Sequence, residues 1–359
     1  MIEIVEKLIA KSKELKATPV IMYSREILIS NLMKIVREVN AVKDNKVIPL
    51  YSVKACRNKE VIKEISNFVK GFSVSSDSEY FEVRNFKSSV ISATGYNFVE
   101  RTDISENNII FYFTSLRQLK IFLDKKKICS NIKIGIRMKG PKALYFKNGK
   151  DSRFGLSLNE LDDLYALQKK YNFKVISILI HQENKVLYDY RTLKTYLKVI
   201  LIHDSFKKIK SINLGGGWDN LFLKNQISEF INRLKIPKKY LIYIEPGSTV
   251  VRTIGLLKAK VIDESIDEGK RKIVLNTSQF NNSSWFVPRI IGSAHLNSNN
   301  EILDTYVYGN TCYENDYFGK YSDSNITFGD EVFMYPVGAY YETTHRELHG
   351  IKFPKEYYL

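Results

Sequence analysis

Short apolar runs alternate with segments of helical periodicity over most of this 359-residue chain, and this alternation limits the folds open to it. Runs rich in β-branched and aromatic residues occur at 47–51, 71–74, 90–93, 109–113, 132–137, 175–180, 212–214 and 241–244. Segments with apolar residues at three- and four-residue spacing lie between most of them, at 59–69, 116–127, 159–170, 188–203 and 221–234. Eight strand-helix alternations predict an α/β fold, a TIM-like (β/α)8 barrel.

After Glu245 the pattern changes to strand-like runs separated by turn signals, with little helical periodicity. These runs lie at 255–263, 272–276, 306–308 and 331–335. The chain is also longer than a single hydrophobic core usually supports. We therefore predict a barrel domain over 20–245 and a β domain, a barrel or sandwich, formed by 1–19 and 246–359.

The composition indicates where the protein is located and whether its cysteines form disulfides. The sequence has no apolar run that could cross a bilayer, and residues 1–16 lack the apolar middle of a signal peptide, so we expect a cytoplasmic protein without a membrane partner. Cys56, Cys129 and Cys312 are odd in number and lack the spacing of metal ligands. They argue against a disulfide framework and against a metal site.

The formal net charge of +16 would suit an anionic partner. The lysines are spread over many apparent helix faces, however, and do not form a dense run with interleaved aromatic residues. This distribution favours a solvated basic surface over a nucleic-acid site. An anionic substrate or cofactor is compatible with it.

Polar residues follow several of the predicted barrel strands, where the chemistry of such barrels collects. They are Lys54, Ser75 with Ser76, Arg137, His181, Gly215 to Gly217, and the tripeptide Glu245-Pro246-Gly247. Each has an ordinary structural explanation, such as a tight turn or a hydrogen-bonded histidine. Their order around one face of the barrel favours a shared site.

The residue types at this face suit an aldehyde cofactor that carries a phosphate. A partly desolvated lysine has a lowered pKa and can form a Schiff base with pyridoxal phosphate, although Lys54 could also extend from a strand end into solvent. The N–H groups of Gly215 to Gly217 can hold a phosphate. Glu245 can keep a pyridine nitrogen protonated, and His181 can lie against the ring.

At this point the motifs resemble a known family, the pyridoxal-phosphate-dependent amino-acid decarboxylases with an alanine-racemase-like (fold type III) barrel. This group includes the diaminopimelate, ornithine and carboxynorspermidine decarboxylases. The matching motifs are Thr18-Pro19, 51–56, 75–79, Ser152-Arg153-Phe154-Gly155, 213–217, Glu245-Pro246-Gly247, Thr311-Cys312 with Asp316, and Tyr340 ten residues before Gly350. Residues 75–84, 275–278 and 340–344, with Gly319 and Tyr321, most resemble the carboxynorspermidine branch.

The resemblance implies a set of roles for these residues. Lys54 would bind pyridoxal phosphate covalently, His181 would stack on the ring, Glu245 would pair with its nitrogen, and Cys312 would return a proton to Cα. The other implied cofactor contacts are Gly215, Gly216, Gly217, Tyr340, Ser75 and Arg137, and the implied substrate contacts are Asp316, Tyr313, Glu314, Ser248 and Thr277.

The resemblance also implies a homodimer with shared active sites, in which Cys312 of one subunit completes the site that contains the lysine of the other. The chemistry has two alternatives. Cys312 could simply be a small buried apolar residue. Racemases of this fold place an arginine against the pyridine nitrogen, so Glu245 argues against a racemase.

Departures from the family pattern indicate the substrate. Ser248 replaces an arginine or glutamate, Val287 replaces an arginine, and Thr277 and Tyr313 replace acids. Residues 182–184 leave one expected phosphate hydroxyl unaccounted for. Because an unpaired buried charge is costly, these changes disfavour diaminopimelate and ornithine as substrates.

The remaining candidate is an amino-acid head on another tail, as in the carboxy-aminopropyl group of carboxynorspermidine or carboxyspermidine in polyamine biosynthesis. A 3-amino-3-carboxypropyl group in the biosynthesis of peptide-nucleotide antibiotics of the microcin C type is an alternative. A diaminopimelate or ornithine decarboxylase, a catalytically silent regulatory homologue and a pyridoxal-phosphate homeostasis protein are further alternatives.

Overall fold

A computed structural model describes residues 2–12, 14–96, 108–125, 133–145, 152–281, 285, 287–295 and 301–359. The chain divides into two compact units. One unit comprises 32–54 and 65–249, and the other comprises 1–31, 55–64 and 250–359. Some predictions lie outside the described residues: Cys129, residues 126 and 127 of the predicted helix 116–127, and residue 132 of the predicted strand 132–137.

The strands, in chain order, are β1 (Val20–Tyr23), β2 (Val47–Ser52), β3 (Gly71–Val74), β4 (Val90–Thr94), β5 (Ile109–Phe113), β6 (Lys133–Arg137), β7 (Val175–Leu179), β8 (Ser211–Asn213), β9 (Leu241–Ile244), β10 (Gly255–Asp267), β11 (Lys270–Leu275), β12 (Arg289–Ala294), β13 (Leu303–Tyr308), β14 (Tyr317–Ser324), β15 (Glu331–Tyr335) and β16 (Lys355–Tyr358). The helices are α1 (Ile2–Ser12), α2 (Arg25–Asn40), α3 (Lys59–Ser66), α4 (Asp77–Val83), α5 (Leu116–Lys125), α6 (Lys142–Tyr145), α7 (Leu161–Tyr171), α8 (Tyr190–Leu201), α9 (Asp219–Leu223), α10 (Ile227–Leu234) and α11 (Ser248–Val251).

The first unit is a closed barrel of parallel strands, which β2 to β9 form within the described residues. Each strand pairs with the next, and β9 closes the barrel against β2 through Ile48 and Tyr243. Packed side chains fill the barrel, because burying branched and aromatic residues there removes a large apolar area from water. The core cluster comprises Ile48, Leu50, Val90, Ile110, Tyr112, Leu179 and Tyr243. The predicted (β/α)8 barrel is confirmed.

One predicted helix differs from the structure. The sequence pattern predicts a single helix over 221–234, whereas the structure has α9 and α10 with a break between them. Asn225 in the break has φ of +54°, the left-handed conformation that asparagine tolerates better than most residues. A single left-handed residue ends the helical hydrogen-bond ladder while leaving the apolar spacing intact, so periodicity missed the break.

The second unit contains a mainly antiparallel sheet in the order β12-β15-β10-β11-β13-β14, and β1 lies between β10 and β16. Glu268 and Gly269, both with positive φ, turn the chain tightly from β10 into β11. The predicted C-terminal β domain is confirmed. Sequence reasoning missed β1, β12, β14 and β16. The last three are half-exposed and carry few fully buried residues. β1 is fully buried but has only four residues.

Among the described residues, no helix combines the length and the apolar character needed to cross a bilayer.

Candidate active site

Glu245 lies directly after β9 at the C-terminal end of the barrel and is buried. Its Oε1 accepts hydrogen bonds from Ser92 Oγ at 2.6 Å and from Asn213 Nδ2 at 2.7 Å. Both donors are neutral, and they come from β4 and β8, two strands that are not adjacent in the barrel. Within the described residues, Oε2 accepts no hydrogen bond, so the carboxylate is held in place with one oxygen available for a ligand.

The glycine loop after β8 is held close to His181. Gly215 has φ of +63°, and a Cβ at this position would lie 2.8 Å from His181 Nδ1. Gly217 has φ of +77°, and a Cβ there would lie 2.2 Å from Gln182 O. Real Cβ atoms do not approach other atoms so closely, and the left-handed conformation penalises side chains. The triple glycine therefore lets the backbone pass directly beside the histidine.

The imidazole of His181 is oriented by this loop, because its Nδ1 accepts a hydrogen bond from Gly216 N at 3.1 Å. Desolvation lowers the pKa of His181 well below its ordinary value, and the positive charges of Lys185, Arg137 and Lys54 lower it further. An uncharged imidazole suits the role of a flat surface against a pyridine ring.

Lys54 lies in a 3₁₀ turn, Val53–Ala55, that directly follows β2. The sequence predicted a partly desolvated lysine here, but this is wrong: the side chain is exposed. The turn carries Lys54 beyond the buried strand, whose residues are all buried. Its charge is still close enough to lower the pKa of His181.

Ser75 and Arg137 are half-buried at the ends of β3 and β6. The Ser75 N–H donates to Glu79 Oε2 at 2.7 Å, so α4 fixes the start of this loop. The Arg137 guanidinium lies 4.6 Å from the centre of the Phe154 ring, in the Ser-Arg-Phe-Gly motif. This contact stabilises the position of a cation near His181.

Ser248, at the start of α11, donates its hydroxyl to Asp219, at 2.9 Å from Oδ2. Thr249 donates to Oδ1 of the same carboxylate at 2.5 Å. Ser248 is thus tied by hydrogen bonds to the segment that follows the glycine loop.

In the other unit, Asp316 is buried, and its carboxylate accepts from Gln279 N at 2.9 Å and from Thr311 Oγ1 at 2.6 Å. Gly309 N donates to Asp316 O at 2.7 Å. Asp316 therefore fixes the turn that carries Cys312, and its carboxylate is engaged by backbone and hydroxyl donors. Its predicted contact with substrate stays a prediction.

Cys312, Tyr313 and Glu314 are exposed on this turn. The Cys312 N–H donates to His349 Nε2 at 3.4 Å, and the Tyr313 and His349 rings have centres 5.7 Å apart. The sequence predicts that these three side chains lie at a site shared with a second subunit. The Cys312 thiol is exposed, as that prediction requires.

Thr277 and Tyr340 belong to the same unit as Cys312. Thr277 is fully buried, and within the described residues its hydroxyl has no hydrogen-bond partner. Tyr340 has φ of +64°, which is rare for an aromatic residue, and its N–H donates to Ala55 O at 2.7 Å. Ala55 is the residue after Lys54. Strained backbone of this kind is concentrated at functional sites.

Sequence reasoning missed three residues of the barrel site. Ser92 sits inside a strand, where it gave no signal, and Asn213 was noticed only as part of a motif. Lys185 follows His181 in a polar loop and reads as a solvated lysine, yet it is fully buried.

No protein-family model matches the chain. Two curated proteins are similar to it. The 2-[(L-alanin-3-ylcarbamoyl)methyl]-2-hydroxybutanedioate decarboxylase of Staphylococcus aureus is 24% identical over 349 residues, which cover 86% of this chain and 87% of that protein. The diaminopimelate decarboxylase of Haemophilus influenzae is 23% identical over 218 residues, 55% of this chain and 51% of that protein. The chain thus spans about half the length of this second relative.

Solved structures align over nearly the whole chain. The arginine decarboxylase of Paramecium bursaria Chlorella virus, bound to agmatine, has a TM-score of 0.80 at 18% identity and covers 100% of both chains. The carboxynorspermidine decarboxylase of Campylobacter jejuni, complexed with norspermidine, has a TM-score of 0.69 at 19% identity and covers 94% of this chain and 93% of that one.

The chain has the fold of these decarboxylases. The predicted resemblance to pyridoxal-phosphate-dependent decarboxylases with an alanine-racemase-like fold is confirmed. Among the structures compared, the carboxynorspermidine enzyme has a lower TM-score than the arginine enzyme. The predicted nearness to the carboxynorspermidine branch therefore stays a prediction.

Proposed function

We propose that this protein is a pyridoxal-phosphate-dependent decarboxylase that removes the α-carboxylate from an amino-acid head group. The observation that carries this proposal is Glu245, a buried carboxylate fixed by Ser92 and Asn213 through one oxygen, with the other available for a protonated pyridine nitrogen. A carboxylate in this place favours a protonated ring. A protonated ring accepts electrons well, and decarboxylation needs that property.

The residues of the barrel fit this cofactor. Glu245 Oε2 accepts no hydrogen bond within the described residues, and neither the Gly217 nor the Trp218 N–H donates one there. Unpaired N–H groups are rare in folded proteins, and two successive ones next to a left-handed glycine form a concave site for an anion. The fit thus rests on an acceptor for the ring nitrogen and donors for the phosphate.

Pyridoxal phosphate, when bound, would supply an electron sink for decarboxylation. The residues of this chain would supply the rest. Lys54 would provide the amine that anchors the cofactor, His181 would provide an uncharged surface beside the ring, and Glu245 would hold a proton at the ring nitrogen. Cys312 would deliver a proton to Cα as a general acid.

The relatives support this activity. All four compared proteins are decarboxylases, and three of their names specify arginine, diaminopimelate or an L-alanin-3-yl group, each with an amino-acid head. The tails in these names differ widely. This variety is consistent with a fold that keeps one reaction and changes the pocket for the tail.

The proposed substrate carries a carboxy-aminopropyl group, as in carboxynorspermidine or carboxyspermidine. Thr277 and Tyr313 stand where related enzymes have acids, so the tail of a short diamine-forming substrate would have an uncompensated ammonium. Val287 likewise cannot pair with a second carboxylate. A carboxy-aminopropyl head on a longer tail avoids both problems.

A second candidate is the 3-amino-3-carboxypropyl group of a peptide-nucleotide antibiotic. Two observations favour it. The formal charge of +16 suits an anionic tail, and the name of the Staphylococcus aureus relative describes an amino-acid head joined through a carbamoyl group to a larger polar tail. The two candidates share the reaction and differ in the tail.

A homodimer with shared active sites is part of this proposal. Cys312 is exposed on a turn that Asp316 and His349 hold, and such a side chain can complete a site in a second copy of the chain.

The absorbance of the purified protein tests the cofactor assignment. Wild type should be yellow from a lysine-bound cofactor, and Lys54→Ala should lose that band, while Lys59→Ala, which removes a nearby exposed lysine, should keep it. A colourless wild type that pyridoxal phosphate cannot reconstitute would refute the proposed function.

A further inference from the structure

Lys185 is an ammonium buried beneath the glycine loop. Its side chain is fully buried, and Nζ donates to Gly216 O and, at 3.1 Å, to Gln182 O. The Trp218 ring centre lies 4.7 Å from Nζ. A buried lysine is costly unless its charge is compensated, so a specific role for it is expected.

Lys185 also fixes the loop through its backbone, since its N–H donates to Gly217 O at 2.9 Å. The carbonyls of Gly216 and Gly217 therefore both face Lys185. In a trans peptide the carbonyl and the following N–H point in opposite directions. The N–H groups of Gly217 and Trp218 must then point away from Lys185.

This arrangement addresses a gap in the phosphate site. The side chains of residues 182–184, directly after His181, offer no hydroxyl to a phosphate. A phosphate monoester is close to a dianion at neutral pH, and a fixed positive charge behind its N–H donors stabilises it.

We propose that Lys185 is a positioning residue for the phosphate of the cofactor: its ammonium, bound to Gly216 O, directs the Gly217 N–H toward the anion and places a positive charge behind it. Its backbone N–H, bound to Gly217 O, directs the Trp218 N–H in the same way. This inference rests on the proposed function, because it requires a phosphorylated ligand at the barrel mouth. Lys185 acts through the glycine loop and does not itself touch the ligand.

Ligand binding should change the protonation of Lys185. Burial lowers the pKa of Lys185 to about 7, although the carboxylates of Glu245 and Asp189 raise it. His181 also lies close enough for its charge to matter, but its own lowered pKa keeps it neutral. A bound dianion raises the pKa of Lys185, so binding at slightly alkaline pH takes up about one proton. Affinity for the phosphate then weakens as the pH rises above about 7.

The test uses pyridoxine phosphate and pyridoxine, which lack the aldehyde and so bind without reacting with Lys54. Their dissociation constants are measured by calorimetry on the full-length apoprotein, with inorganic phosphate as a third ligand. Lys185→Met should weaken pyridoxine phosphate about tenfold or more while changing pyridoxine little, and should remove the weakening above neutral pH.

Lys258 provides a matched control. It is also buried, and its ammonium binds Ser12 O, Leu15 O and Glu331, all in the other unit. Lys258→Met should lower the melting temperature but leave the affinity for pyridoxine phosphate and its pH profile unchanged.

The outcomes separate the two proposals. If wild type binds pyridoxine phosphate no better than pyridoxine, the cofactor assignment falls and the role of Lys185 falls with it. If wild type discriminates and Lys185→Met retains the same discrimination and pH profile, only the role of Lys185 is overturned. Should Lys185→Met fail to fold, proton uptake by wild type, measured in buffers of different ionisation enthalpy, decides the matter. An uptake of zero at pH above about 7 contradicts the proposal.

Discussion

Ser92 Oγ lies 2.6 Å from Glu245 Oε1, although the two residues are 153 positions apart in the chain. The short distance is typical of a strong hydrogen bond. Asn213 donates to the same oxygen and, through its own Oδ1, accepts from Gly215 N at 2.9 Å. The Asn213 side chain thus fixes both the Glu245 carboxylate and the glycine loop.

Glu245→Gln should reduce decarboxylation by about 100-fold or more, because an amide cannot keep the ring nitrogen protonated by charge. Ser92→Ala, which removes one neutral donor and keeps the charge, should reduce it about tenfold. Single-turnover CO2 release with saturating cofactor measures both. Full activity in Glu245→Gln would contradict the role given to this carboxylate.

Gly215→Ala should displace His181 and weaken cofactor binding. Both Gly215 and Gly269 have positive φ, so alanine at either position costs about 1 kcal/mol in backbone strain. Only at Gly215 does the new Cβ collide with a histidine, since nothing lies within 4 Å of a Cβ built on Gly269. Melting temperatures and cofactor titrations separate the two effects. Equal loss of affinity in both variants would show that strain alone matters.

Cys312→Ala should slow the return of a proton to Cα while leaving the lysine-bound absorbance intact. We expect a fall in turnover of about 100-fold and a ratio of product amine to released CO2 below one. Cys312→Ser, which keeps a weaker acid, should recover part of the activity. Loss of the absorbance band in Cys312→Ala would argue for a structural role of the thiol.

Mixing Lys54→Ala with Cys312→Ala, each of which should have little or no activity alone, should restore activity if the sites are shared between subunits. In a random mixture half of the dimers are hybrids, and one of the two sites in each hybrid is intact, so activity should reach about a quarter of wild type. Light scattering gives the oligomeric state in parallel. A monomer, or a mixture that stays inactive after subunit exchange, would contradict shared sites.

Rates of CO2 release from a panel of compounds identify the tail of the substrate. CO2 release should be faster from carboxynorspermidine, carboxyspermidine or a 3-amino-3-carboxypropyl nucleotide than from diaminopimelate or ornithine, because Thr277, Tyr313 and Val287 offer no countercharge. Comparison of kcat/KM for each compound gives the ranking. Preference for diaminopimelate would show that the departures were misread.

Local periodicity was sufficient to predict the barrel and to place Lys54, His181, the glycine loop and Glu245 after its strands. Those predictions depend on residue spacing within one element. The break in 221–234 was missed because a single left-handed residue at Asn225 leaves the apolar spacing unchanged. The half-exposed strands β12, β14 and β16 were missed because they lack a buried face with strict alternation.

The sequence by itself therefore determined the order of the barrel strands and the chemical groups at their ends, since both follow from short-range patterns. Tertiary structure decided which groups meet. Ser92 reads as any strand serine until barrel closure brings it to Glu245, and Lys185 reads as a solvated lysine until the glycine loop covers it. Hydrogen bonds and burial of this kind depend on distances between remote segments, which the closed barrel fixes and the local sequence does not.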